Sequence, residues 1–319
     1  MRYIIRLYFK SPLHIGEDYP GIGIESSASI IHSDTLFSAI VNQWAMLPAK
    51  NGNLPLKKLL EQFKKEEPPF LISSAFYFRS TDKGTTYYLP KPLVDDPKLM
   101  ELKDVRHLEL ADFAKISRGE WFEGKLPQDP EDEIVKPLYS PRISLDRINS
   151  GSNLFHAETI TFRNGGLYFI IHLKDISLLP TLRLCLNLLA EAGLGGERST
   201  GCGLFEWSEL SIEKDPQWEP LWELEKESNK KFCLISLCFP QEEEVNNLIG
   251  YNLVLRKGWI YSTSTNLQLK RKTCQMLGEG SIFSKEPKGD MADVTPGEFK
   301  KIHSVYRYGR AFTLPIKCS

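Results

Sequence analysis

Long apolar runs are missing from this chain of 319 residues. No segment reaches the roughly 18 consecutive apolar residues of a membrane-spanning helix, and the richest stretch, residues 168–171, meets His172 and Lys174 at once. No membrane span is expected. The opening residues alternate around Arg2, Arg6 and Lys10 and lack the unbroken apolar core of a secretory signal, so they read as a strand. Cysteine is sparse as well. The six cysteines (Cys185, Cys202, Cys233, Cys238, Cys274 and Cys318) form no C-x-x-C pair and have no histidine cluster beside them, which argues against structural zinc. Reduced thiols in the cytoplasm are expected. An excess of one charge is also lacking: 40 Lys and Arg against 41 Asp and Glu leave a formal net charge of −1, so the chain is no polycation that coats nucleic acid indiscriminately. Any basic site must be local. What remains, 41% hydrophobic and 25% charged residues, is a globular composition long enough for two domains of roughly 150 residues each.

The patterning predicts a strand over residues 2–9, a loop over 16–29, and a helix that Ser33 and Asp34 can cap. Leu36, Phe37, Ile40, Val41, Trp44 and Leu47 keep helical spacing until Pro48. Residues 72–79 and 86–89 form a hairpin around Thr81, Asp82, Lys83 and Gly84. A charged helix over 99–116 leads into an acidic, proline-rich insertion at 127–133, read as solvated. Residues 154–162 and 167–173 read as a second hairpin, joined by Arg163, Asn164, Gly165 and Gly166. A helix over 180–192 and a strand over 204–212 complete the order of an elaborated ferredoxin-like β-α-β-β-α-β unit. An acidic segment with Trp218 and Trp222 then marks the boundary. The division is 1–214 (insertion near 94–135, glycine-rich loop 193–203), linker 215–230, and a smaller α+β domain over 231–319, strand-like at 232–239, 251–260, 281–284 and 304–314.

The neutral total hides a polarity. Residues 215–244 hold eight acids against three lysines, whereas residues 251–277 carry Arg256, Lys257, Lys270, Arg271 and Lys272 and no acid. Residues 299–319 add Lys300, Lys301, Arg307, Arg310 and Lys317, again without an acid. Trp259, Tyr261, Tyr306 and Tyr308 are interleaved with these cations. That mixture suits phosphate contact and base stacking, or else a solvated basic face over core aromatics. Both readings stay open here. Residues 193–203 hold five glycines between a helix and a strand, the wrong order for a dinucleotide fingerprint and without the G-K-[ST] ending of a P-loop. ATP and NAD are poor candidates. Gly195, Gly196 and Gly201 let a backbone approach a ligand and present amides to an anion, and Arg198 and Ser199 add phosphate-binding side chains.

Six histidines (His14, His32, His107, His156, His172 and His303) keep a metal-independent ribonuclease in view, with His14 the best placed for acid–base work. His172 reads as solvent-facing or capped. The Ser33–Asp34 pair is read as a helix cap and not as a nucleophile with its base. No cofactor or metal is expected.

Leu13 to Gly16, residues 31–39 (IHSDTLFSA) and residues 193–199 (GLGGERS) together resemble the signature of the RAMP superfamily of CRISPR proteins, whose hallmark is the glycine-rich loop. Residues 140–147, Gly258 with Trp259, and residues 305–309 extend the similarity. It is strongest to the subunits that cap the 5′ end of guide RNA in type III-A (Csm-type) effector complexes. No family pattern covers 94–135. The resemblance implies an α+β chain of two ferredoxin-like (RRM-like) domains, the second smaller and divergent, that binds the repeat-derived 5′ tag of crRNA in antiviral defence. It also implies docking between the large signalling and DNase subunit and a backbone RAMP subunit, without catalysis of its own. The alternative is the ribonuclease, processing CRISPR precursor RNA as some superfamily members do. The expected RNA contacts are His14, Gly16, Arg142, Arg147, Gly195, Gly196, Arg198, Ser199, Gly201, Arg256, Lys257, Lys270, Arg271, Lys272 and Arg307. Residues 140–158 are expected to protrude as a hairpin, comparable to a thumb that wedges between guide and target in related subunits.

Overall fold

The computed structural model describes residues 1–16, 26–48, 54–94, 99, 101–120, 126–145, 152–260 and 269–317, with only the backbone of residues 144, 145 and 153. The first half contains β1 (Arg2–Phe9), α1 (Ser33–Met46), α2 (Leu56–Phe63), β2 (Phe70–Ile72), β3 (Phe76–Thr81), β4 (Gly84–Pro90), β5 (His107–Glu109), α3 (Leu110–Ser117) and α4 (Glu131–Ile134). There follow β6 (Val135–Leu145), β7 (Ser152–Phe162), β8 (Gly165–Leu173), α5 (Leu179–Ala192), β9 (Phe205–Ser211) and α6 (Glu219–Glu225). The second half holds β10 (Lys231–Leu234), β11 (Leu248–Gly250), β12 (Leu253–Arg256), β13 (Cys274–Leu277), β14 (Ile282–Phe283), β15 (Ala292–Asp293), β16 (Tyr306–Arg307) and β17 (Thr313–Ile316).

The main sheet runs β5-β4-β3-β8-β1-β9, with β2 also paired to β8. Its β3-β8-β1-β9 portion, with α1 after β1 and α5 after β8, has the strand order and helix placement expected of a β-α-β-β-α-β unit. The predicted hairpin of residues 154–162 with 167–173 does not form. β8 pairs with β1, β2 and β3, while β7 pairs with β6. The reason is burial on both faces: Leu167, Phe169, Ile171 and Leu173 enter one core, Tyr168 and Ile170 the other. A strand buried on both sides belongs in the centre of a sheet. Asn164, at φ 49°, turns the chain, and a Cβ on Gly166 would collide with the Leu7 carbonyl of the neighbouring strand.

One core lies under α1 and α5. The other takes side chains from α3, α6 and the second half, including Ile282, Leu314 and Ile316. The predicted helix over 99–116 becomes β5 and α3, and Leu102, Val105, Leu108 and Phe113 of that stretch are buried, while in the insertion at 127–133 Pro130 alone is buried and the other residues are exposed or half-buried, as expected. Asp129 anchors it by accepting the amides of His107 and Glu131 at 3.0 and 3.1 Å. In the acidic segment, Trp218 is fully buried beside Tyr87 and Tyr168.

The second half builds a four-stranded antiparallel sheet, β11-β14-β10-β17, again with the order 2-3-1-4 counted along the chain. Among the described residues of 231–319 there is no α-helix, so the crossovers that a β-α-β-β-α-β unit makes with helices are made here by a segment ending in the 3-10 turn Glu242–Asn247 and by β15–β16. Arg310, 1% exposed, ties the halves together by donating to the carbonyls of Phe63, Lys65 and Gly289. Long β6 and β7 pair with each other along their whole length, and Leu13 joins β7 at Ile160. Tyr139, Ile143 and Leu154 are exposed on this hairpin. The protrusion was legible because its strands alternate; its turn lies outside the described residues.

Candidate functional site

The helix α1 is apolar where Leu36, Phe37, Ile40 and Trp44 meet the core. Its other stripe carries Thr35, Ser38, Ala39, Asn42, Gln43 and Met46 at helical spacing. That stripe forms one wall of a cleft of about 280 Å³; the glycine-rich loop and the segment from Arg256 to Trp259 form the others. Ile15 and Gly16 line it too.

The cap reading of Ser33 and Asp34 is overturned. His32 occupies the N-cap position, without a side-chain capping bond. The Ser33 hydroxyl instead accepts the Leu237 amide at 3.0 Å, across to the second half. Asp34 is fully enclosed and takes a two-pronged contact from Arg256, Nε to Oδ2 at 3.0 Å and Nη2 to Oδ1 at 3.1 Å. Arg307 donates Nη1 to the same carboxylate and Nη2 to the Lys257 carbonyl at 2.6 Å. Burial alone would raise the Asp34 pKa, yet Arg256, Arg307 and His32 together hold it well below the usual carboxylate range. Arg256 and Arg307 are therefore ion-pair partners of Asp34 first, and both also line the cleft. A cation run in sequence carries no sign that its counter-charge sits over 200 residues away.

Arg271 differs from both. Its amide pairs with the Gly258 carbonyl at 2.9 Å, but its guanidinium makes no hydrogen bond or ion pair among the described residues, and its Nε is buried. Burial first, then Arg307 and Arg256, push its pKa down to about 10, against the pull of Asp34. Among the described residues lining the cleft, Arg198, Arg256, Lys257, Arg271 and Arg307 face a single acid, Asp34. The surplus positive charge in a concave, partly dry site is the arrangement that attracts an anion.

The loop residues are less available than their glycines suggested. The Gly196 amide donates to the His14 carbonyl at 2.8 Å, Leu194 to Gly203, and Gly203 to Pro12. Gly193, Gly195 and Gly203 adopt positive φ and press against backbone, so these glycines are needed for the loop's own packing. Arg198, Ser199 and Gly201 are exposed. Gly201 and Gly203 then separate two effects. Gly201→Ala, with open space around it, should cost the αL penalty of about 1–2 kcal/mol. Gly203→Ala, whose Cβ would strike the Leu194 carbonyl, should lower thermal stability clearly more. Equal melting temperatures for the two variants would show that the collision is relieved at no cost.

His14 is buried; its Nδ1–H donates to the Glu158 carbonyl at 2.8 Å, holding β7 to the loop. Lys270, exposed, places its Nζ 5.3 Å from the Trp259 ring centroid, and Lys272 is exposed nearby. Arg142 lies on the β6–β7 hairpin and not on the cleft wall, and Arg147 and Tyr261 lie outside the described residues. Tyr308 is core, stacked on Phe37 at 4.7 Å, and the Tyr306 hydroxyl accepts from Lys64; neither offers an open ring. Trp259, 58% exposed, does. His172 is half-buried and not solvent-facing: burial, then Arg2, pushes its pKa down to about 4. The pairing role of Asp34 was missed, because helical periodicity assigns faces and not partners.

Residues 6–206, well over half of the chain, match the RAMP superfamily. The chain belongs to that superfamily. Residues 227–316 of this RAMP protein match the CRISPR Csm4 C-terminal domain. The CRISPR system Cms protein Csm4 of Methanocaldococcus jannaschii is 25% identical over 98% of this chain and 96% of its own length. The Csm4 of Thermococcus onnurineus is 27% identical, covering 90% and 92%. A chain of the crystal structure of a Csm3–Csm4 subcomplex in the type III-A CRISPR-Cas interference complex superposes with a TM-score of 0.68 at 19% identity, over 99% of both chains. A chain of a Csm1–Csm4 cassette in complex with cA4 gives 0.62 at 22% identity, over 100% of this RAMP chain and 99% of its own. The mixed α/β RAMP fold is thereby established from end to end.

Proposed function

We propose that the chain is a non-catalytic, RNA-binding subunit of a type III-A CRISPR interference complex and that it holds the 5′ repeat-derived tag of crRNA. The observation that carries this reading is the cleft, where an unpaired, half-buried Arg271 stands with four other cations and one acid beside the glycine-rich loop. A phosphate diester supplies the missing counter-charge, and Trp259 offers a stacking surface for an unpaired base. His14, the centre of the ribonuclease reading, has its Nδ1–H and carbonyl oxygen engaged by Glu158 and Gly196, which supports a structural role.

The similar structures contain Csm1 with Csm4 and Csm3 with Csm4. By that likeness, the chain bridges a large Csm1-type signalling and DNase subunit to a Csm3-type backbone subunit in the cytoplasm. Both halves are ferredoxin-like in this reading, the second helix-depleted and beginning near 231. The β6–β7 hairpin is the thumb that meets the guide–target pair. The test is to purify the chain with its neighbouring subunits and sequence the bound RNA. Guide RNAs sharing one 5′ end are expected; recovery of no RNA, or of a small metabolite alone, overturns the proposal.

A further inference from the structure

Gln43 has no part in the charge cluster. It is 5% exposed on α1, next to the core residue Trp44. Its carboxamide makes no hydrogen bond among the described residues, although the residue lines the cleft. What little of Gln43 is exposed therefore opens on the cleft, where a group entering it can replace water as the partner of the carboxamide.

We propose that Gln43 reads the base of one unpaired RNA nucleotide held in the cleft, with adenine preferred; this rests on the RNA-binding reading above. A glutamine carboxamide places a donor beside an acceptor, the complement of the N6 and N7 edge of adenine. Unpaired RNA is recognised in this way, with base edges hydrogen-bonded, rings stacked and phosphates neutralised separately. The cleft divides the tasks accordingly: Arg271 serves the phosphate, Trp259 the ring, and Gln43 the base edge. Its volume of about 280 Å³ suits one nucleotide-sized group. Asn42 is less suited to reading, because its amide nitrogen already donates to the Ser38 carbonyl at 2.8 Å.

The experiment measures fluorescence anisotropy of the full chain with oligouridine and with probes in which one uridine at a time becomes adenosine, cytidine or guanosine. At one position adenosine should tighten binding about ten-fold. Gln43→Leu and Gln43→Met, both close in volume, should lose that preference, so that the adenosine, cytidine, guanosine and uridine probes bind alike. Gln43→Glu should turn the preference towards cytidine, whose N4 amine donates to a carboxylate. An adenosine preference that survives in Gln43→Leu, or a wild-type chain that binds every probe alike, overturns the inference. Failure of the RNA-binding reading looks different: the wild type then binds no probe, or Arg271→Ala binds all of them as the wild type does.

Discussion

Asp34→Ala should destabilise the fold by about 3–5 kcal/mol, because it strips the one carboxylate from a buried cluster of arginines and leaves their charges uncompensated. Asp34 is fully enclosed, Arg307 4% exposed and Arg256 13% exposed at the side chain, so water cannot take the carboxylate's place. In a chain of this size the loss corresponds to a fall in melting temperature on the order of 5–10 °C. Replacing Arg307 by Met in the same background should recover part of it, since one stranded charge is then gone. The pH dependence has a definite sign. The folded pKa of Asp34 lies below its unfolded value, so its contribution is complete above about pH 4 and is lost as the pH falls from there. Melting curves of wild type and Asp34→Asn should therefore converge on acidification. An Asp34→Ala variant melting within a degree of wild type would show that the cluster holds nothing together.

Arg271→Ala should do the reverse, weakening RNA binding while leaving stability unchanged or slightly higher. Its guanidinium makes no hydrogen bond or ion pair among the described residues, and its nearest charged neighbours include two arginines of like sign. Removing it relieves repulsion in the free protein. In the complex it removes a charge-assisted hydrogen bond worth about 1.5–3 kcal/mol, on the order of 10–100-fold in affinity. The dependence of log affinity on log salt should flatten by about 0.7, the share of one phosphate contact on a single strand. Anisotropy titrations at several salt concentrations, run beside thermal melts, test both halves. A variant that melts early yet binds RNA with the wild-type slope would make Arg271 a structural residue.

Several features of this protein follow from its sequence alone. The spacing of Leu36, Phe37, Ile40 and Trp44 specifies α1 and its buried face, Pro180 and Gly193 bracket α5, and alternation marks the β6–β7 hairpin. These are local properties, set by side chains a few residues apart. The glycine-rich stretch was legible as a loop for the same reason, although Gly193, Gly195 and Gly203 serve its own packing. Strand partnership was not. Residues 154–162 and 167–173 lie on either side of a good turn, but β8 is buried on both faces and pairs with β1, β2 and β3. That choice depends on two cores, one under α1 and α5 and one completed by side chains of the second half, that exist only in the folded chain. The roles of the cations were decided at the same level. Arg256, Arg271 and Arg307 look alike in sequence, yet folding brings Asp34 to two of them and leaves the third unpaired in the cleft. Charge pairing at close range falls off steeply with distance and with water. Tertiary contact between residues more than 200 positions apart therefore separated structural arginines from the one free to meet a ligand.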